Sequence, residues 1–235
     1  MLEVAHLVVE IQNSEILRNV SFSVATGELA CLVGRNGAGK TTTLRTIMGY
    51  IAPRSGSIRL ADTDLIGKTT LTRARLGIGY SPEGSEVFGE LTVAENIALP
   101  TWTRATRKSA AERIDLAYRV FPNLRRYEAR PGTNLSGGER KMLSIARTLA
   151  LDADLLLLDE PFEGLSPAII PGIRDSIQEI VRLGHTVLIA ESELQHVPDY
   201  ADRIYVMERG EIVFGGSLEE ARRDSTVRRI IGETL

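Results

Sequence analysis

The run Gly34-Arg35-Asn36-Gly37-Ala38-Gly39-Lys40-Thr41 places its glycines, lysine and hydroxyl at the spacing G-x-x-x-x-G-K-[ST]. Triphosphate oxygens need several donors converging in a small volume. Glycines let the backbone curl so that consecutive N–H groups point inward, and a helix that follows adds the positive end of its dipole. In such a loop Lys40 reaches the β- and γ-phosphates and the Thr41 hydroxyl ligates Mg2+; Thr42 is counted with the loop. The plain alternative is a glycine-rich turn beside an exposed lysine. Leu29 to Val33 before the loop has strand length, and Leu44, Ile47 and Met48 after it repeat at helical spacing until Gly49. That strand–loop–helix context favours nucleotide binding.

A second apolar run, Leu155 to Leu158, ends in Asp159 and Glu160. Ligands of open parallel sheets bind at the carboxyl ends of strands, which would turn this pair toward the crevice that Lys40 faces. The first acid suits magnesium, directly or through water, and the second can polarise a water in line with the γ-phosphate. Acids also close strands for no chemical reason, so the pair gains weight from the loop upstream. Leu135-Ser136-Gly137-Gly138-Glu139 opens a helix whose apolar face is Met142, Leu143, Ala146, Leu149 and Ala150. Ser136 and Glu139 fit a capping box, which accounts for helix initiation alone. Capping does not explain two consecutive glycines, which cost helix propensity and expose N–H groups to an anion. Two phosphate-binding helix starts are therefore expected.

The elements that must position these residues follow from periodicity. Leu29–Val33, Leu155–Leu158 and Thr186–Ala190 read as strands buried on both faces of a parallel sheet. Between the last two, a helix is expected with Ser166 as cap and Pro167 at its first position. Its stripe is Ile169, Ile173, Ile177 and Ile180, and Gly184 stops it. Arg203 to Glu208 and Glu211 to Phe214 form a hairpin about Arg209-Gly210. From Leu91 to Ala150 the patterns are helical, with Thr92 and Glu95 as a capping box and a helix from Ser109 to Val120. Arg222, Arg223, Arg228 and Arg229 fit a solvated helix face, with contact to anionic lipid as the alternative.

Composition excludes several classes. With 235 residues, 43% hydrophobic and 25% charged, the chain has the makings of a globular core and is neither disordered nor fibrous. A net charge of -3 argues against nucleic acid as a partner. The single cysteine makes a reducing compartment the default, and neither a spanning segment nor a secretory leader is expected.

The phosphate loop, Leu135 to Glu139, the acid pair before Pro161, and their order together resemble the ATP-binding subunit of an ABC transporter, over essentially the whole chain. The resemblance implies an α/β fold: a RecA-like P-loop NTPase core with an antiparallel β subdomain and a helical subdomain. The core and β subdomain would be 1–86 and 151–235, and the helical subdomain 87–150. It further implies a head-to-tail dimer, the second subunit identical or paralogous, with each ATP held between one subunit's loop and the other's Ser136, Gly137 and Gly138. Glu160 would be the catalytic base, Phe162 to Ser166 the loop joining the two sites, and Glu83 a further magnesium contact. Transmembrane permease subunits and a periplasmic or extracellular solute-binding protein complete the implied system, and the place of the chain is the cytoplasmic face of the inner membrane. A groove between Glu83 and Leu99, with Val87, Phe88 and Leu91 as anchors, is the implied permease dock, although a buried local cluster would use the same residues.

Pro82-Glu83-Gly84, Val87-Phe88, Leu91-Thr92-Val93, Glu95-Asn96, Glu163-Gly164-Leu165 and Ala201-Asp202-Arg203 are similar to importers of branched-chain amino acids. Amide or urea importers and lipopolysaccharide exporters share parts of this pattern. Two positions depart from the family. Ile11 stands where an aromatic ring stacks on adenine, forgoing a contact worth about 1 kcal/mol and leaving room for GTP. Ser192 stands where most members carry a histidine, and a hydroxyl cannot hold a positive charge near the γ-phosphate. His196 is the candidate substitute, its plain alternative being a helix-surface histidine. Two other classes compete. A soluble repair or translation ATPase would need coiled-coil insertions or a second cassette. A small-molecule kinase or GTPase leaves Leu135 to Glu139 without a role.

Overall fold

The computed structural model describes residues 1–231, with three strands in a row at the start and a run of helices alone between the strands that end at Ser81 and begin at Leu155. In chain order the elements are β1 (Leu2–Ile11), β2 (Ser14–Val24), β3 (Leu29–Val33), α1 (Lys40–Met48), β4 (Ser55–Leu60), β5 (Thr63–Asp64), α2 (Thr70–Arg75) and β6 (Ile78–Ser81). Then come α3 (Val93–Ala98), α4 (Ala110–Val120), α5 (Pro122–Arg125), α6 (Gly137–Ala150), β7 (Leu155–Asp159) and α7 (Ile170–Arg182). The chain closes with β8 (Thr186–Glu191), β9 (Arg203–Glu208), β10 (Glu211–Gly216), α8 (Leu218–Arg223) and α9 (Ser225–Ile231). The described residues fall into two compact units, one of Met1–Thr70 with the residues from Thr186 onward, and one of Leu71–His185.

In the first unit β3 is parallel to both β8 and β9, with Val33 opposite Glu191 on one side and Val206 on the other. All five residues of β3 are buried, as strands covered on both faces must be. The hairpin of β9 and β10 turns at Arg209 and Gly210, both with positive φ (49° and 83°), the conformation that matches strand twist. A second, antiparallel sheet runs in the order β2-β1-β4-β5. Its strands are not obvious from alternation, because the buried residues of β1 change parity: Leu2 and Val4, then Leu7 and Val9. The slip falls at His6, which has positive φ (52°) where the register with β2 shifts. Asn19 in β2 does the same (φ 56°), and its side-chain oxygen lies 2.7 Å from His6 Nδ1.

In the second unit β6 and β7 are parallel, Ile78 opposite Leu155 and Ser81 opposite Leu158. The helices α3 to α6 lie between them in sequence. Thr92 and Ser136 each accept a hydrogen bond from the backbone three residues on and complete a capping box, as their spacing predicts, and Ser109 does the same with Glu112 where only a helix was expected. α7 corrects one expectation. Ser166 does not cap it: its carbonyl accepts from Ile169 N in a turn, and the helix starts at Ile170 with Pro171 in its first turn. Pro171 forfeits nothing there, since first-turn N–H groups have no partner within a helix. Ile173, Ile177 and Ile180 form its buried stripe and Ile169 is only half-buried. Among the described residues, no helix is long and apolar enough to cross a membrane.

Candidate functional site

Gly34 leaves the end of β3 with its N–H donating to the carbonyl of Glu191, 3.1 Å away. A Cβ on Gly34 would run into the carbonyl oxygen of Met207, so the loop can start here only as glycine. Gly39 precedes α1 at φ 111°, and its side-chain-free backbone leaves the helix start without a side-chain cap. Within α1 the Thr43 and Thr46 hydroxyls donate to the carbonyls of Gly39 and Thr42 (2.9 and 2.7 Å), which satisfies buried β-branched polar residues inside a helix. Lys40, only 4% exposed, curls back over the loop; its Nζ donates to Gly34 O at 2.7 Å and Arg35 O at 3.5 Å. A buried ammonium, an open helix start and inward glycines make a site for a polyanion.

The same unit holds the two departures. Ile11 ends β1 and is 39% exposed, an aliphatic surface available to a flat ring. Ser192 follows β8 and is half-buried. His196 lies in a one-turn 3-10 helix, Leu194–His196, not on an open helix surface. Its Nδ1 is 3.3 Å from the carboxylate of Glu191, which is fully buried. The charges of Glu191 and Asp202, added to burial as the main cause, push the Cys31 thiol far up and keep it protonated.

The second unit carries the acids. Asp159 is the last residue of β7 and Glu160 the first beyond it; both are buried, at 1% and 4% exposure. Tyr80 on β6 donates its hydroxyl to Asp159 Oδ2 at 2.9 Å and so fixes that carboxylate. Glu160 has left-handed backbone (φ 46°), uncommon outside glycine, asparagine and aspartate. A hydrogen bond with Glu160, with burial and the charges of Glu160 and Glu83 behind it, raises the Glu163 carboxyl to about 7. Lys141, on α6, donates from Nζ to Glu83 O (2.7 Å) and Glu160 O (3.0 Å).

α6 begins at the predicted serine and glycines. Ser136 accepts from Glu139 N at 3.3 Å, and Glu139 accepts from Ser136 N at 2.7 Å. A Cβ on Gly137 would meet no protein atom within 4 Å, whereas one on Gly138 would lie 3.1 Å from Ile169. The segment after Glu83 is knit by Asn96 and by Arg147. Asn96, fully buried, accepts from Phe88 N and donates to the carbonyls of Phe88, Leu91 and Thr92. Arg147 stacks its guanidinium 4.7 Å from the Phe88 ring centroid, leaving Phe88 half exposed, while Val87 and Leu91 are half-buried. Arg147, Tyr80 and Lys141 act across long sequence separations, which no local spacing announces, whereas Asn96 binds residues four to eight positions back.

The family model described as "ABC transporter" matches residues 17–163. The high-affinity branched-chain amino acid transport ATP-binding protein BraG of Pseudomonas aeruginosa is 42% identical over 200 residues, 85% of each chain. The lipopolysaccharide export system ATP-binding protein LptB of Acidithiobacillus ferridurans is 35% identical over 217 residues, 92% of this chain and 89% of that one. Among solved structures, the ADP conformation of an ATP-binding cassette of an ABC transporter superposes with a TM-score of 0.86 at 25% identity, covering 100% of this chain and 99% of that one. The RecA-like α/β expectation agrees with that neighbour. With a phosphate loop, a strand-end acid pair and a glycine-marked helix start all present, the chain belongs to the ABC transporter family, as an ATP-hydrolysing ATP-binding subunit.

Proposed function

We propose that this subunit energises uptake of branched-chain or other hydrophobic amino acids from the cytoplasmic face of the inner membrane. The likeness to BraG carries the solute class. The likeness to LptB favours a second reading, lipopolysaccharide export. In the working assembly a second cassette, identical or paralogous, faces this one head to tail. Permease subunits dock on the segment from Glu83 to Leu99, and a solute-binding protein delivers the cargo. Within the chain, 1–86 and 151–235 form the core with its β subdomain, and 87–150 the helical subdomain.

The residues fit ATP and Mg2+ by the chemistry of their donors. The open start of α1 and the buried Lys40 suit the triphosphate, and hydroxyl and carboxylate oxygens are the hard ligands that magnesium takes. Gly34, Arg35, Asn36, Gly37, Ala38, Gly39, Lys40, Thr41 and Thr42 cradle the phosphates, and Ile11 covers the adenine. Thr41, Asp159 and Glu83 are the residues that would hold magnesium, whose charge would offset that of the phosphates. Glu160 accepts the proton of the attacking water. Ser136, Gly137 and Gly138 meet the γ-phosphate held by the other subunit, and Ser192 offers a hydroxyl to the γ-phosphate in its own. ATP closes the pair, hydrolysis reopens it, and the permease is shifted only by its differential affinity for those two forms.

The test is Glu160→Gln in MgATP, followed by light scattering and phosphate release. Stable dimers with turnover reduced at least about 100-fold are expected. A strictly monomeric variant, even beside its native membrane partners, overturns the shared site. Labelled leucine uptake by the reconstituted complex then separates import from the lipopolysaccharide reading.

A further inference from the structure

Lys141 has no role in the chemistry above, yet it is buried to the same 4% exposure as Lys40. Taking an ammonium out of water is costly unless close acceptors replace its hydration. Its Nζ finds two such acceptors: the carbonyl of Glu83 in the loop after β6, and that of Glu160 just past β7. Both carbonyls belong to residues whose side chains are site candidates. Lys141 itself stands one helical turn beyond Gly137, about 6 Å along α6.

We propose that Lys141 is a positioning residue whose buried ammonium ties the backbone at Glu160 and at Glu83 to the start of α6 and thereby aims the Glu160 carboxylate. The leverage lies in the left-handed backbone of Glu160, with φ at 46°. Such a conformation persists only where the surroundings over-determine it. Carbonyl and side chain depart from the same residue, so anchoring one narrows the directions open to the other. The backbone N–H of Glu163 donates to the same Glu160 carbonyl at 3.3 Å and supplies the second restraint. The loop carrying Glu83 and the glycine-marked helix start then respond together with Glu160, because one cation spans them.

This inference rests on Glu160 being the base, and its test keeps the two apart. Lys141→Met removes the donors and Lys141→Gln returns neutral ones. For Lys141→Met, kcat should fall roughly 10- to 100-fold with KM for ATP unchanged, the size expected when a reacting group is misplaced by about 1 Å. Lys141→Gln should recover part of that loss. In the nucleotide-free chain, amide hydrogen exchange should quicken in Lys141→Met at residues 83–86 and 160–163 together, and stay unchanged at 34–42. Unchanged kcat with unchanged exchange overturns the proposal, as does a loss that falls on KM alone. Should Lys141→Met fail to fold, the same two measurements on Lys141→Gln decide: an intermediate kcat and coupled exchange support it, and wild-type values in both overturn it. If Glu160→Gln retains turnover, the base assignment falls by itself, and the exchange comparison still decides whether Lys141 ties the two segments.

Discussion

Two of the four lysines are buried, and they use the same bond for different ends. Lys40 donates to the carbonyls of Gly34 and Arg35, six and five residues back, so the phosphate loop closes on itself. Lys141 donates to carbonyls 58 and 19 residues away and joins three segments of the second unit. The two Lys40 bonds stay among contiguous residues, while Glu191 and Gly210 hold the loop at Gly34 and Ala38 from elsewhere in the first unit. A spanning lysine makes the form of one segment depend on the others, which is what a site that must answer to a partner requires. The helix starts differ in the same sense: α1 has no side-chain cap, whereas α6 is closed by Ser136 and Glu139.

Lys40→Met tests the first half of that contrast and should have the largest effect. Removing a charge aimed at the transferring phosphoryl group should cost roughly 100- to 1,000-fold in turnover and weaken nucleotide binding as well. Titration calorimetry with a non-hydrolysable ATP analogue reads the binding loss directly. An equal loss of affinity in Lys141→Met would erase the distinction between a lysine that touches phosphate and one that only positions.

Gly39 and Gly137 sharpen the comparison at the helix starts. Gly39→Ala forces a side chain into φ 111° with Leu17 Cδ2 only 2.7 Å from the new Cβ, so stability should drop by about 1–3 kcal/mol. A Cβ at Gly137 meets nothing in the chain, and alanine is the better helix former, so Gly137→Ala should melt no lower and gain up to about 1 kcal/mol. If Gly137 meets a phosphate held by the other subunit, as proposed, turnover should nonetheless fall in Gly137→Ala, because the added Cβ would keep that phosphate from the backbone N–H groups. Wild-type turnover in a stable Gly137→Ala would leave the second glycine helix start without a function.

The same contrast explains what could be seen in the sequence. The loop after β3, the capping boxes of α3 and α6, and the acids closing β7 are contiguous patterns, and each stands where its spacing places it. β1 and β2 escape alternation because His6 and Asn19, with positive φ, slip the buried set from even to odd positions and back. Ser166 looks like a cap because a serine–proline pair precedes an isoleucine stripe, but the chain spends those residues on a turn and lets Pro171 begin the helix. Lys141 and Tyr80 were invisible for a deeper reason. A lysine beside Met142 on a helix looks solvated until topology delivers two carbonyls to it.

The smallest expected effect concerns stability against pH, again in the second unit. His185 is buried, and its Nδ1 donates to Ala153 O at 2.6 Å. Burial, chiefly, and then the Lys108 charge hold its pKa below the ordinary histidine value, against the opposing pull of the Ala153 bond and of Asp152 and Asp154. A depressed pKa means the folded chain binds fewer protons than the unfolded chain in the interval between the two values. Stability from this group is therefore complete above about pH 6.5, the unfolded value, and is lost as pH falls below it. Urea midpoints at pH 7.5 and 5.5 should differ more in the wild type than in His185→Gln. A wild-type midpoint that rises on acidification, with His185→Gln flat, would mean that the charged imidazolium is welcome beside Asp152 and Asp154 and that electrostatics, not burial, governs this corner of the unit.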